Sequence, residues 1–177
     1  KLTAQGLLDH TPYGAVQLTE QGRAYAVAMV RRPRLIESFL VPVLGYGWDQ
    51  VHEEAEHLEH AVSDFMVDRI DEFLGFPVRD PHGDPIPARD GTGVRPDALP
   101  LTEPAPGSTL AVERISDTDP SLLQFFEEHG IVLAARLAVR EGAPFSDSVN
   151  IGVRGEDASV PLGRTATDAL YVSFVRD

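Results

Sequence analysis

The sequence predicts an α+β protein in which a helical region is followed, after a proline-rich segment, by a small β-barrel. Three observations predict this class: apolar residues recur at helical spacing up to Leu74, residues 77–107 are rich in proline and glycine, and short apolar runs alternate with turns beyond them. At 177 residues, 42% of them hydrophobic, the chain is long enough to bury a core. We therefore expect four regions, at residues 1–22, 23–76, 77–107 and 108–177, of which the third is a proline-rich linker.

The first region predicts the end of a helix followed by a β-hairpin. A helix end is stopped at Gly6, and two short apolar segments flank a turn at Tyr13-Gly14. This order is typical of a recognition helix trailed by the wing of a winged helix-turn-helix, and an ordinary hairpin fits the residues equally well. Because the chain opens without an initiator Met or a helix start, we expect the rest of such a module to lie outside this sequence.

Three helices in succession are predicted for the second region. The first begins at Thr19 and ends near Gly45, and Pro33 predicts a kink or break within it, because an interior proline lacks a backbone donor. The other two are predicted at residues 48–62, capped by Asp49, and at residues 64–74, capped by Asp64.

The last region predicts a barrel of short strands with one helix. The apolar runs that indicate strands lie at residues 110–112, 131–139, 149–153, 159–162 and 169–175. Only residues 120–129 have the spacing of a helix. Short strands separated by glycine and polar turns are typical of small β-barrels.

Composition limits the chemistry that the chain can perform. It contains no Cys, which excludes disulfides, thiolate catalysis, zinc ribbons and iron–sulfur clusters within these residues. The formal net charge of −13 opposes nucleic-acid binding by the chain as a whole, although the first 34 residues carry five basic and two acidic side chains. No apolar stretch approaches the ~20 residues of a membrane helix and no secretory leader is apparent, so we expect a cytoplasmic protein without membrane contact.

The second predicted helix carries residue types that bind metals. Its apolar stripe consists of Val51, Ala55, Leu58 and Val62. Beside that stripe, at positions i, i+4, i+7 and i+8, lie His52, Glu56, Glu59 and His60. Two imidazoles and two carboxylates on one arc, with no Lys or Arg between them, would repel one another when ionised, and a divalent cation would relieve that repulsion. The alternative is an acidic helix whose polar side chains face water.

This donor set favours Mn²⁺, with Fe²⁺ or another divalent transition metal as the alternative, because carboxylates and imidazoles without sulfur suit these ions. A hydrolytic metalloenzyme with Glu53 or Glu54 as general base is a second interpretation. It is disfavoured because the two histidines of the arc are eight residues apart, without a His-Glu-x-x-His motif, and because the helix must bury its apolar stripe; we therefore expect no enzyme. A third interpretation is a metal-independent acidic interaction module built on the terminal barrel.

Six motifs resemble, in order and spacing, the diphtheria toxin repressor family. They are Gly6-Leu7-Leu8, Leu18-Thr19-x-x-Gly22, Arg32-x-Arg34-Leu35-x-Glu37-x-Phe39-Leu40, Trp48-Asp49-x-Val51-His52-Glu53-Glu54-Ala55, Leu58-Glu59-His60-x-x-Ser63-Asp64 and Asp80-Pro81-His82-Gly83-x-Pro85-Ile86-Pro87. The resemblance covers residues 1–87 closely, and the tail resembles the SH3-like domain of the longer members. It implies a homodimeric, metal-activated repressor of metal-uptake genes, with the remnant of an operator-binding winged helix-turn-helix, an α-helical dimerisation and metal-binding domain and a C-terminal SH3-like β-barrel.

The resemblance also assigns metal ligands. Glu56, Glu59 and His60 match the family's primary regulatory site, whose remaining ligands would come from the DNA-binding module. Iron-responsive members have Cys at the position of Glu56 and manganese-responsive members have Glu, so the resemblance implies a manganese-dependent repressor, with an iron-dependent one as the alternative. Glu37 and His52 match an ancillary site.

Two departures from the family pattern affect neighbouring sites. The family's ancillary histidine is Pro33 here, so we expect weaker metal binding at the ancillary site. Arg34, Asp80 and Asp84 stand where the family can hold an anion, and the two acids argue against an anion in this chain.

Overall fold

A computed structural model describes residues 2–9, 14–94, 96–153 and 159–175. The chain divides into two compact units. The helical unit comprises Lys1–Tyr46, His52–Asp80 and Pro85–Arg95, and the β unit comprises Gly47–Val51, Pro81–Asp84 and Pro96–Asp177. Among the helices in the described ranges, none has the length and hydropathy needed to cross a membrane. The predicted turn residue Tyr13 lies outside the described residues.

The amino-terminal hairpin of the helical unit is present as predicted. A 3₁₀ turn at Thr3–Gln5 ends at Gly6, whose φ of 70° is the left-handed value that glycine adopts without strain. Strands β1 (Leu8–Asp9) and β2 (Gln17–Leu18) then pair antiparallel, with Leu8 opposite Leu18. Each strand has only two residues, so the hairpin depends on its contacts with the helix that follows.

Thr19 joins this hairpin to the first helix. Its hydroxyl donates to Gly6 O at 2.7 Å and accepts from Gly22 N at 2.9 Å, and its own amide donates to Leu7 O at 3.1 Å. A Cβ on Gly22 would lie 1.9 Å from Leu7 O. Only glycine therefore permits the backbone of the helix to approach the hairpin segment this closely.

Helix α1 (Glu20–Leu44) is continuous for 25 residues, with Pro33 and Pro42 inside it. Its start at the Thr19 cap and its end at Gly45, with φ of 74°, agree with the sequence prediction. Of the kink or break predicted at Pro33, the break is wrong, because α1 continues through the proline. A proline inside a helix removes one hydrogen bond, and other interactions must offset that loss for the helix to continue.

Arginines on both sides of Pro33 supply such interactions. Arg31 pairs with the carboxylate of Asp71, whose side chain is 7% exposed, and donates to Pro87 O at 2.9 Å. Arg34 donates to Pro85 O at 2.5 Å. These bonds reach chain segments more than 35 residues away, and they hold the helix to its neighbours before and after the proline.

Helix α2 (Val51–Glu59) is shorter than predicted at both ends. Residues 48–50 form a turn, and a second turn follows Glu59. Asp49 is not the cap, because it lies two residues before the helix and its carboxylate accepts instead from Gln124 Nε2 at 2.7 Å. Helix ends fray into turns, which apolar spacing alone does not distinguish from helix.

Helix α3 (Asp64–Phe73) has the predicted position but a different cap. Ser63, not Asp64, precedes it, and the Ser63 hydroxyl accepts from Met66 N at 3.2 Å. Asp64 occupies the first turn, where its carboxylate pairs with Arg32. Both residue types are good caps, so the choice depends on the arginine, which lies 32 positions earlier.

A small hydrophobic core connects α1, α3 and part of the proline-rich segment in the helical unit. It consists of the buried residues Leu35, Val67, Ile70 and Ile86, with Phe39, Val62 and Leu74 packed against them. Ile86 comes from the proline-rich segment that the sequence suggested as a linker, and it is 4% exposed. That part of the segment is therefore packed structure rather than solvated chain.

The β unit is built on one antiparallel sheet. Its strands are β3 (Leu99–Pro100), β4 (Thr109–Ile115), β5 (Arg136–Arg140), β6 (Val149–Val153), β7 (Ser159–Leu162) and β8 (Leu170–Phe174). The strand order is β3-β8-β4-β5-β6-β7. Helix α4 (Pro120–Glu128) and the short α5 (Arg164–Asp168) complete the unit.

The sequence identified the five longer strands and α4, and it missed two elements. The run at residues 131–139 is strand only from Arg136, because Ala134 takes a positive φ of 62° that interrupts extended backbone. Strand β3 and helix α5 were not predicted, since a two-residue strand containing a proline and a five-residue helix have too few residues to show a period. The α+β class is confirmed.

Candidate metal centre

Helix α2 presents its polar arc outward because its apolar stripe is buried. Val51 and Ala55 are fully buried, and Leu58 and Val62 are partly buried. Amphipathic spacing thus places the metal-ligating residue types beside the core, as predicted. The contacts of the side chains on this arc decide what the arc can bind.

His52 contacts carboxylates on two sides. Its Nδ1 lies 2.9 Å from Glu37 Oε1, and its Nε2 lies 3.5 Å from Glu56 Oε1. Glu37 projects from α1 and its side chain is only 3% exposed, whereas Glu56 is 65% exposed. His52 therefore connects Glu37, its proposed partner in the ancillary site, with Glu56 of the proposed primary site.

Glu59 and His60 form a second pair. His60 Nε2 lies 3.4 Å from Glu59 Oε1, and the two side chains are 83% and 20% exposed, respectively. His60 follows the last residue of α2, in a turn where the amides of Ala61 and Val62 both donate to Leu58 O. The end of the helix, rather than its middle, thus carries this pair.

The predicted convergence of His52, Glu56, Glu59 and His60 is therefore found in pairs and not as one cluster. Within the described ranges, these four residues do not contribute three ligand atoms lying within 4.8 Å of one another. Their backbone positions share one face of the helix, and the exposure of Glu56 and His60 leaves both side chains free to change rotamer.

The donor set fits a divalent cation. It offers carboxylate oxygens and imidazole nitrogens, and the chain has no Cys to add sulfur. In the part of the chain that the structure describes, the ion pairs of Glu56 and Glu59 are with histidines, not with arginine or lysine. A cation would therefore displace no strong counter-charge from these two carboxylates.

Sequence reasoning missed the contribution of Arg32 to this region. Its Nη1 donates to the carbonyl oxygens of Glu59 at 3.1 Å and of Val62 at 2.5 Å, and its Nη2 pairs with Asp64. Arg32 belongs to one of the family motifs, but its acceptors are backbone carbonyls. Every residue has such a carbonyl, so the residue types do not indicate which ones Arg32 contacts. Only the fold reveals this contact.

The acid at position 80 is paired inside the helical unit. Arg34 Nε lies 3.6 Å from Asp80 Oδ2, and the Asp80 side chain is 3% exposed. A carboxylate of the chain itself thus stands beside the arginine that a bound anion would need. That no anion is held there stays a prediction, which this pairing supports.

Comparisons with known proteins agree with both units. Residues 19–88 match the family model described as iron dependent repressor, metal binding and dimerisation domain, and residues 99–173 match the FeoA domain model. The iron-dependent repressor IdeR of Mycobacterium tuberculosis is 35% identical, over 99% of this chain and 80% of that protein. The diphtheria toxin repressor of Corynebacterium glutamicum is 28% identical, over 78% of this chain and 65% of its own.

Solved structures give the same result. A manganese-dependent transcriptional repressor in complex with manganese is 51% identical, with a TM-score of 0.87, over 98% of this chain and 80% of that one. Another manganese-dependent transcriptional repressor is 48% identical with the same TM-score, over 98% of this chain and 89% of that one.

A helical unit with a carboxylate and imidazole surface, joined in one chain to a FeoA-type β unit, defines a metal-dependent transcriptional repressor. This chain belongs to the diphtheria toxin repressor family of iron- and manganese-dependent repressors. The resemblance seen in the sequence motifs is thereby confirmed.

Proposed function

We propose that this repressor responds to manganese, with Glu56, Glu59 and His60 holding the ion. The observation that carries the proposal is the position of Glu56. It lies on the outward arc of α2, and its ion pair is with the imidazole of His52, not with an arginine or a lysine. An oxygen-rich set without thiolate suits Mn²⁺ better than it suits softer ions. The relatives described as manganese-dependent support the same choice.

A bound divalent ion would supply the positive charge that lets the carboxylates of Glu56 and Glu59 face one point. The chain's own residues provide the rest of the arrangement. The buried carboxylate of Glu37 holds His52 through Nδ1, which leaves the Nε2 side of that ring toward Glu56. We propose that Glu37 and His52 form a weaker ancillary site, because Pro33 stands where a third ligand would be.

The repressor is proposed to act as a homodimer on operator DNA in the cytoplasm, without enzymatic activity, to control metal-uptake genes. The matched helical domain is described as a dimerisation domain. Large apolar side chains of α3 are exposed, with Phe65 at 74% and Phe73 at 68%, which suits a surface that a second subunit covers. Hairpin β1–β2 is proposed as the wing of the DNA-binding module.

Isothermal titration with Mn²⁺ tests this proposal on the repressor with its complete DNA-binding module, because that module is expected to supply the remaining ligands. We expect Glu56→Ala and His60→Ala each to weaken binding by roughly tenfold or more, because each removes a ligand atom. Glu53→Ala, a change on the same helix outside the arc, is the control and should stay within about twofold. Glu56→Cys should shift the preference from Mn²⁺ toward Fe²⁺ and Zn²⁺, because a thiolate is a softer ligand.

Two results would contradict the proposal. A chain that binds no Mn²⁺ would exclude the site, and affinities unchanged in Glu56→Ala and His60→Ala would favour the metal-independent interaction module. A native chain that prefers Fe²⁺ over Mn²⁺ under anaerobic titration would favour the iron-dependent alternative.

A further inference from the structure

Arg32 of α1 holds the segment that carries Glu59 and His60. Its guanidinium donates to two carbonyl oxygens, Glu59 O at 3.1 Å and Val62 O at 2.5 Å, and also pairs with Asp64. The Arg32 side chain is 23% exposed, so the charge is largely withdrawn from water. One side chain thus spans both ends of the turn that contains His60.

The Glu59 carbonyl lies at the end of α2 and the Val62 carbonyl lies three residues after it, so the helix supplies a hydrogen-bond donor to neither. Helix α2 ends at Glu59, and the last carbonyls of a helix have no intrahelical donors. Leu58 O accepts from the amides of Ala61 and Val62, at 2.9 and 3.0 Å. The Glu59 and Val62 carbonyls accept from Arg32 instead, and a cation at this end is also favoured by the helix dipole.

Asp64 directs the charge of Arg32 away from the proposed ligands. A guanidinium beside Glu59 would readily form a bidentate pair with its carboxylate and so compete with a metal ion. In the structure Arg32 pairs with Asp64, whose side chain is 91% exposed, and the Glu59 carboxylate contacts His60. Arg32 therefore binds the backbone of Glu59 and leaves its carboxylate available.

We propose that Arg32 is a positioning residue of the metal site. It fixes the backbone of Glu59 and His60, so that their side chains meet the ion at a set distance, and it does not contact the ion itself. The inference rests on the proposed function, since it takes Glu59 and His60 as ligands. Groups that orient metal ligands in this way typically change metal affinity by about 10–100-fold when removed.

The experiment compares Arg32→Ala, Arg32→Lys and the control Arg69→Ala in the full chain. Arg69 is also an arginine in an ion pair, with Glu72, but it lies on the exposed side of α3. Mn²⁺ affinity is measured by calorimetry, and coordination geometry by the visible absorption of Co²⁺ bound to the same chains. We expect affinity to fall by about 10–100-fold in Arg32→Ala, by about threefold or more in Arg32→Lys, and by less than about twofold in Arg69→Ala.

The Co²⁺ spectrum separates positioning from general stability. Misplaced ligands should change its bands in both Arg32 variants, whereas a loss of stability alone would leave the bands of the folded fraction unchanged. Affinities within about twofold of the native chain, with identical spectra, would overturn the inference. If Arg32→Ala does not fold, as judged by circular dichroism, Arg32→Lys decides by the same criteria.

The outcomes for the two proposals differ. A native chain that binds neither Mn²⁺ nor Co²⁺ refutes the proposed function. A native chain whose binding requires Glu56 and His60 but is unaffected by both Arg32 variants refutes only the role of Arg32.

Discussion

The helical unit and the β unit are stabilised in different ways. Within the described residues, sixteen buried apolar side chains form one connected core in the β unit, whereas the connected core of the helical unit has four, with Ile36, Leu40 and Ala55 buried outside it. The β unit buries Leu110, Phe126 and Leu170 completely, and its core draws on every strand from β4 to β8. Burial of this kind contributes most of the stability of a small domain.

The helical unit adds arginine contacts between distant segments to its smaller core. Arg31, Arg32 and Arg34 reach carbonyls and carboxylates of distant segments, while large apolar side chains such as Phe65 and Phe73 remain exposed. Exposed apolar surface on this scale marks a surface that other protein covers. The β unit thus has an extensive core of its own, whereas the helical unit carries the proposed ion site and the proposed dimer surface.

The largest effect is expected from opening the β core. Phe126→Ala should lower the free energy of unfolding of the β unit by about 4 kcal/mol, because Phe126 is fully buried and its loss leaves a cavity. Urea titration followed by the fluorescence of Trp48, the single tryptophan, measures this, since Trp48 packs against that core. Phe145→Ala, at a fully exposed site, should leave the midpoint unchanged.

An intermediate effect is expected at the exposed face of α3. Phe65→Asp should raise the dissociation constant of the proposed dimer by about 100-fold, because a charge replaces an aromatic residue where a partner would bury it. Sedimentation equilibrium measures the change, with Phe145→Asp as a control of equal chemistry in the β unit. If the dissociation constant is unchanged in Phe65→Asp, the interface lies elsewhere. The exposed aromatic residues of α3 would then not distinguish the helical unit from the β unit.

The smallest effect is expected at the cap of α4. The Ser121 hydroxyl, followed by the backbone amides of Leu122 and Ser121, donates to the Asp119 carboxylate and holds its pKa below the ordinary value. A depressed pKa stabilises the fold above the ordinary value, and that contribution disappears as pH falls below about 4. Asp119→Asn keeps a hydrogen-bond acceptor at the cap but cannot be protonated in this pH range. The urea midpoint should therefore fall less in acid than it does in the native chain, and it should change little at neutral pH.

The measurement for this prediction is the urea midpoint of the Trp48 fluorescence between neutral pH and acid. Asp97→Asn, at an exposed position outside the caps, serves as the control. An acid dependence identical in Asp119→Asn and the native chain would show that the cap does not contribute.

Local features of the fold could be predicted where a few neighbouring residues decide them. Thr19 begins α1 and Gly45 ends it, because capping depends on residues close in sequence. The longer strands followed from short apolar runs bounded by glycine and polar turns. The family motifs supplied the ligand assignments. The structure places His52, Glu56 and Glu59 on α2, with His60 directly after it, and brings these side chains together only in pairs.

Features that depend on distant residues could not be predicted. Pro33 does not interrupt α1, because arginines beside it bind segments more than 35 positions away. The cap of α3 is Ser63, since Asp64 is engaged by Arg32. The role of Arg32 at the end of α2 depends on backbone carbonyls, which every residue possesses and no sequence pattern marks.

The absent side chain of Gly22 has a mechanical consequence. Because the backbone of α1 lies against Leu7 O there, with Thr19 bonded to Gly6 and Gly22, the hairpin cannot slide or pivot on the helix without breaking these contacts. Arg32 lies ten residues beyond Gly22 on the same helix, or about 15 Å. The hairpin and the turn bound by Arg32 are thus attached to one uninterrupted helix, and neither can be displaced relative to α1 without loss of the contacts that hold it.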